Sequence, residues 1–157
     1  MRRLTVLTLL LAALLSLAAC GAEVQEAEVW RVVREAYLDG GGSALEAETV
    51  DVPAGLGEIA ALIAGFNAAG ESPSLRRALP EGALIENWTL ASGELRLYVQ
   101  EGFSDLTGYE RARAEACAAL TFCAVEGVES VSLYSGDTQL TTGLTPEKIL
   151  LRDGDET

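Results

Sequence analysis

The residues of this 157-residue chain that could do chemistry are few, and its three cysteines stand first among them. Cys20 follows Leu17-Ala18-Ala19, behind Arg2, Arg3 and an apolar run from Leu4 to Leu15 that only Thr5 and Thr8 interrupt. A charged start, a short apolar stretch and small residues before a cleavage point are the parts of an export signal. Cys117 and Cys123 lie six positions apart, which on a continuous helix turns them about 120° from one another. They read as two free, partly buried thiols, since free cysteine behaves as a small hydrophobe. A helix ending near Leu120 would instead allow a bridge, which an extracytoplasmic setting permits.

The absence of histidine removes Ser-His-Asp and Cys-His arrangements and the zinc sets built on imidazole. Glu46 with Glu48, or Glu94 with Glu101, could form an acid-base pair. In a chain with 24 acidic residues such pairs arise by chance and read as solvated faces. Gly40-Gly41-Gly42 is followed by no Gly-Lys-Ser/Thr and leads into a strand pattern, so it reads as a turn rather than a phosphate loop. Asp153, Asp155 and Glu156 lack the spacing of a calcium loop, and the sequon Asn87-Trp88-Thr89 reads as strand. No catalytic residue, metal ligand or cofactor site is assigned. Trp30, Trp88, Tyr98 and Tyr134 could line a small-ligand site, although such aromatics serve packing equally well.

Leu17-Ala18-Ala19-Cys20 resembles the lipobox of bacterial lipoproteins, and Gly21 fits the small residue that follows it. The resemblance implies a leader over residues 1–19, acylation of the Cys20 thiol and cleavage before it. Lipid attachment at Cys20 would then hold an exported protein on the outer face of the plasma membrane. Two or more acyl chains make such an anchor stable where one gives only marginal binding. The apolar run is shorter than the roughly 20 residues that cross a hydrocarbon core. The leader carries two of the 11 basic residues and none of the acidic ones, so the remainder is more acidic than the −13 of the whole. With Lys148 as the sole lysine and no basic stripe, nucleic acid is excluded as a partner.

These residues must be carried by elements that the hydrophobic pattern outlines. Residues 20–28 read as the lipidated cysteine and an acidic tether reaching at most about 29 Å. Val29 to Tyr37 and Leu45 to Val52 read as strands around a hairpin loop at Asp39 to Ser43. Leu56, Ile59, Ala60, Ile63 and Phe66 mark one face of a helix. A loop from Ala69 to Gly82 contains Leu75 to Leu79 as one helical turn, with the basic pair Arg76-Arg77. Strands at Leu84 to Leu90 and Glu94 to Val99 flank the turn Ala91-Ser92-Gly93. A second helix from Thr107 to about Phe122 has Tyr109, Ala112, Ala116, Ala119 and Leu120 on one side. Val128 to Tyr134 is the last clear strand, Ile149 to Arg152 adds an edge strand, and 154–157 is an acidic tail. The order β-β-α-β-β-α-β predicts a single α+β domain over 29–153, a mostly antiparallel sheet with two helices on one face.

Leu79-Pro80-Glu81-Gly82-Ala83-Leu84, the hairpin into Leu95-Arg96-Leu97-Tyr98-Val99, Phe103-Ser104, a helix and Val128-Glu129-Ser130-Val131-Ser132-Leu133 follow one another in an order that resembles the GerMN domain of sporulation and germination lipoproteins. The resemblance runs over Val29 to Asp153 and is strongest from Leu79 to Gly136. Val32-Val33-Arg34-Glu35-Ala36-Tyr37 departs from the family's Tyr-Phe type first strand. Val99-Gln100-Glu101-Gly102-Phe103-Ser104 is two residues longer than its Val-Asp-Phe-Ser segment. The resemblance implies a non-catalytic interaction or assembly protein whose partners are other cell-envelope proteins. The alternative is a lipoprotein binding a small ligand or a peptidoglycan fragment.

Overall fold

The computed structural model describes residues 23–37 and 43–150. Cys20, the glycine run 40–42 and the acidic tail lie outside them. Strand β1 spans Val24–Val33, and β2 spans Leu45–Pro53. The two pair antiparallel along their whole length, from Val24 opposite Pro53 to Val32 opposite Leu45. This is the hairpin expected from the sequence, but β1 begins within the expected tether. Ala27 and Val29 are buried while Glu26 and Glu28 are exposed, a period-two pattern masked in the sequence by a small alanine between carboxylates. Only Gly21, Ala22 and Glu23 then separate Cys20 from the strand. At its far end β1 stops at Val33, four residues before the expected end at Tyr37, and gives way to a 3-10 turn at Glu35–Tyr37.

Helix α1 spans Glu58–Asn67 and lays Ile59, Leu62 and Phe66 into the core. Leu56 precedes the helix and is exposed, and Ile63 is only half-buried, so the expected face is rotated toward Leu62. Gly65 lets the helix lie close on β1 and β2: a Cβ there would sit 2.8 Å from Val50 Cγ2, closer than packed carbons approach. The expected helical turn at Leu75 to Leu79 is instead a two-residue strand, β3 (Leu75–Arg76), paired with Val32 and Val33 of β1.

Strands β4 (Ile85–Ala91) and β5 (Glu94–Val99) form the expected hairpin. Ser92 and Gly93 both have positive φ, 52° and 79°, the mirror-image turn that suits strand twist. A 3-10 segment, Glu101–Asp105, leads to helix α2 (Gly108–Phe122), then β6 (Ser130–Ser135), β7 (Thr138–Leu144) and the short α3 (Pro146–Leu150). Tyr109 is 83% exposed and Leu120 half-buried. Of the expected face Ala116 and Ala119 are buried, and Ala114, Cys117, Ala118, Thr121 and Phe122 complete the buried side of α2. The edge strand expected at Ile149 to Arg152 is in its described part helical; β7 takes the edge.

The fold is α+β in the expected order, and its strands divide between two sheets. One is antiparallel, β2-β1-β3; the other is β4-β5-β6-β7, in which β5 and β6 run parallel. The parallel pair follows from α2, because parallel neighbours need a crossover and a helix supplies it. Both α1 and α2 pack chiefly on β1. One continuous core joins Val29, Val32 and Val50 to Leu95, Leu97, Val131 and Leu133.

Candidate functional site

Strand β4 is an edge of its sheet, and its outer side is largely uncovered. Asn67, at the end of α1, closes only its first residue: Asn67 Nδ2 donates to Ile85 O (2.8 Å) and Ile85 N donates to Asn67 Oδ1 (3.0 Å). Beyond a register irregularity between Ile85 and Asn87, every residue from Glu86 to Ala91 is exposed. Asn87 Oδ1 accepts from Trp88 N at 2.8 Å. Register puts Trp88 beside Leu97 and Leu90 beside Leu95 on the inner face, yet Trp88 stays 37% and Leu90 40% exposed. Glu86 and the register irregularity guard only the start of the strand; from Asn87 to Ala91 it carries no charged residue and no proline, the residues that usually block edge pairing. By contrast β2 ends in Pro53 and carries Glu46 and Asp51, and β7 has two register irregularities.

The outer face of the same sheet is polar and cross-linked. Glu94 accepts from Ser132 Oγ (2.6 Å) and from Arg96 (2.8 Å). These bonds, with Ser132 the larger influence, hold the Glu94 carboxyl below its usual range. Arg96 also lies over the Tyr134 ring, which meets Tyr98 at a centroid separation of 5.6 Å. Of the four aromatics singled out in the sequence, Tyr98 and Tyr134 thus form one surface pair, Trp88 sits on the open edge, and Trp30 borders a groove beside β1. They do not converge on one site.

The carboxylate pairs are not assembled for acid-base work. Glu48 is buried against Arg31 at 2.9 Å, with its other oxygen accepting from Glu71 N and Ser72 N, while Glu46 is exposed. Glu94 and Glu101 flank opposite ends of β5, roughly 20 Å apart by strand rise. Among the described residues no group of three Cys, Asp or Glu side chains converges as metal ligands. Arg31 went unnoticed in the sequence; its signal was a lone charge inside the β-branched run Val29 to Val33. Of the basic pair, Arg76 is bonded to Glu110 at 2.8 Å and Arg77 donates to Asn67 O.

Cys117 and Cys123 are free thiols, the first buried in α2 and the second half-buried at its C-terminal cap. Burial pushes the Cys117 thiol up from its ordinary 9.0 to about 12, and burial, then Glu147, raises Cys123 as well. The folded chain therefore holds the Cys117 proton at pH values where the unfolded chain releases it. This stabilising contribution is complete below about pH 9 and is lost as pH rises from 9 toward 12. Urea unfolding should show a midpoint that falls between about pH 8 and pH 10.5, with a shallower fall in Cys117→Ala. An identical fall in both chains would remove Cys117 as the cause.

An α+β domain of two small sheets, the second containing a parallel β5-α2-β6 crossover, with open strand edges at its surface, is the class of protein that this geometry defines. No family model matches the sequence, and no curated protein matches it. Among solved structures, the chain is similar to the tandem GerMN domains of the sporulation protein GerM from Bacillus subtilis, with a TM-score of 0.51 at 15% identity over 73% of this chain and 40% of that one. The fold is GerMN-like, in keeping with the resemblance read between Leu79 and Gly136. The chain spans less than half the length of that solved protein.

Proposed function

We propose that this chain is an exported lipoprotein, anchored through Cys20 on the outer face of the plasma membrane, whose domain is a non-catalytic interaction module in envelope complexes of sporulation or germination. The observation that carries the reading is the open β4 edge with Trp88 and Leu90 exposed beside it. An uncovered strand offers a row of backbone donors and acceptors to an extended segment of another protein. The occupant proposed is such a segment of a second envelope protein, lying along Asn87 to Ala91 with an apolar side chain against Trp88 and Leu90. The GerMN-like fold supports the setting, and the leader with its Leu-Ala-Ala-Cys box supports the anchor.

The test is a photo-crosslinking residue at Thr89 in sporulating cells, with the crosslink mapped by mass spectrometry. The expected product joins β4 to an extended stretch of an envelope protein and disappears in Trp88→Asp/Leu90→Asp. Absence of any envelope partner, or a product unaffected by that pair of changes, overturns the reading. Cys20→Ala should release the chain from membranes or leave it as an uncleaved precursor. Normal cleavage with unchanged membrane retention would refute the anchor.

A second reading, small-ligand binding, is favoured by a groove of ≈ 570 Å³ between α2, β7 and α3, lined by Tyr109, Leu144 and Ile149 with the cations Arg113 and Lys148. Its size is within the range of ligand clefts.

A further inference from the structure

A second strand edge is open, and it lies inside a groove. Strand β1 pairs with β2 throughout, but on its other side β3 reaches only Val32 and Val33. The direction of its backbone groups follows from bonds at its ends. Val33 N donates to Ala44 O, on the β2 side; Arg34 N donates to Ser74 O, on the β3 side. Trp30 N donates to Thr121 Oγ1 of α2 at 2.9 Å, again away from β2. Even-numbered residues therefore direct their N–H and C=O away from β2, as the alternation of antiparallel pairs requires. Glu28 and Glu26 are the next two in that series, and among the described residues their backbone groups have no hydrogen-bond partner. Thr121 thus fills, at one position, the place that a neighbouring strand would occupy.

The space beside these two residues is a groove of ≈ 500 Å³ between β1, α1 and the C-terminal end of α2. Its charged lining is Glu26, Glu28 and Glu58 alone; Trp30, Leu62 and Leu120 supply apolar surface. We infer that the groove takes an extended, basic polypeptide segment as an added strand along Val24 to Glu28, ending where Thr121 occupies the Trp30 N–H. The pleat fixes the pattern of that segment, because side chains alternate between faces and cross-strand neighbours share one. Residues level with Glu26 and Glu28 stand beside two carboxylates and are Lys or Arg. Residues between them face the Ala27 and Leu62 side and are apolar. A second copy of this chain does not fit, since its net charge of −13 opposes entry into an acidic slot. The inference stands apart from the β4 edge, which lies on the other sheet.

The full chain in detergent micelles, with a labelled acetyl-Lys-Ile-Lys-Ile-Lys-Ile-amide peptide, tests it by fluorescence anisotropy and amide hydrogen exchange. The peptide is expected to bind and to slow exchange at Glu26 and Glu28, and a Glu-Ile repeat is expected not to bind. Glu26→Lys/Glu28→Lys should weaken the basic peptide about tenfold or more and admit the acidic one. Slow exchange of the Val50 and Leu97 amides in that variant shows that it is folded. No binding, equal binding of both peptides, protection confined to β4, or protection produced by self-association overturns the inference. A chain without the Thr89 crosslink can still pass this test, so the two readings fail separately.

Discussion

Arg31→Ala is expected to lower the unfolding free energy by about 3–5 kcal/mol, the range for breaking a buried pair by removing one partner. Arg31 is fully buried. Its Nε donates to Glu48 Oε2 at 2.9 Å; its terminal nitrogens donate to Phe66 O (3.2 Å), Ala68 O (2.9 Å) and Gly65 O (2.9 Å). One guanidinium therefore ties β1 to β2 and closes the last carbonyls of α1, where a cation also meets the negative end of the helix dipole. The alanine leaves Glu48 buried without its cation and the Phe66 and Ala68 carbonyls without donors, while Gly65 O keeps only the Ala68 N–H. Glu48→Gln keeps an acceptor for only one side, Arg31 Nε or the Glu71 and Ser72 N–H groups, and sets its NH2 against the other. It should still cost less than Arg31→Ala, because Arg31 keeps its bonds to the three carbonyls. Arg31→Met/Glu48→Leu should recover part of the loss, since apolar replacement of a whole buried pair is often neutral or better. Urea unfolding of the three variants checks this. A loss below about 1 kcal/mol in Arg31→Ala would show that the network contributes no more than a surface pair.

Phe122→Ala is the second large effect, a loss of about 3–5 kcal/mol. Phe122 ends α2 and Phe66 nearly ends α1; both are buried, with ring centroids 5.4 Å apart and planes tilted by 52°. Tilted rings of this kind attract by about 0.5–1.5 kcal/mol beyond the area they bury. Phe66→Ala/Phe122→Ala should therefore cost less than the two single losses summed, since the first truncation already removes the ring pair. Additive losses in calorimetry or urea unfolding would mean that each ring is held by its own surroundings. Phe122→Leu, which keeps most of the apolar volume, should remain the mildest change at this position.

Strand β5 was legible because Leu95, Leu97 and Val99 alternate with Glu94, Arg96 and Tyr98, and Ser92-Gly93 supplies the turn. Strand β7 was not, because Thr138-Gln139-Leu140-Thr141-Thr142-Gly143-Leu144 buries too little for its alternation to stand out. Tyr109 was assigned inward by helical spacing from Ala112 and Ala116. It points outward because α2 meets β1 along the Ala114, Cys117, Ala118 and Thr121 side. The division into two sheets depends on which strands find one another across the chain, and hydrophobic period carries no information on that. The candidate surfaces were less legible still. Exposure of Trp88 depends on what fails to cover it, and the open side of β1 depends on where β3 stops. Cys20, the one site residue singled out, lies outside the described residues.

The early start of β1 also bears on how the proposed lipoprotein meets its partners. Three residues, Gly21 to Glu23, span at most about 11 Å, close to the Debye length of about 8–10 Å near physiological salt. Held that near the bilayer, the domain searches a thin layer above the lipid rather than a volume. A partner fixed to the same membrane meets it at an effective concentration in the millimolar range of short linkers, so weak edge contacts suffice for assembly.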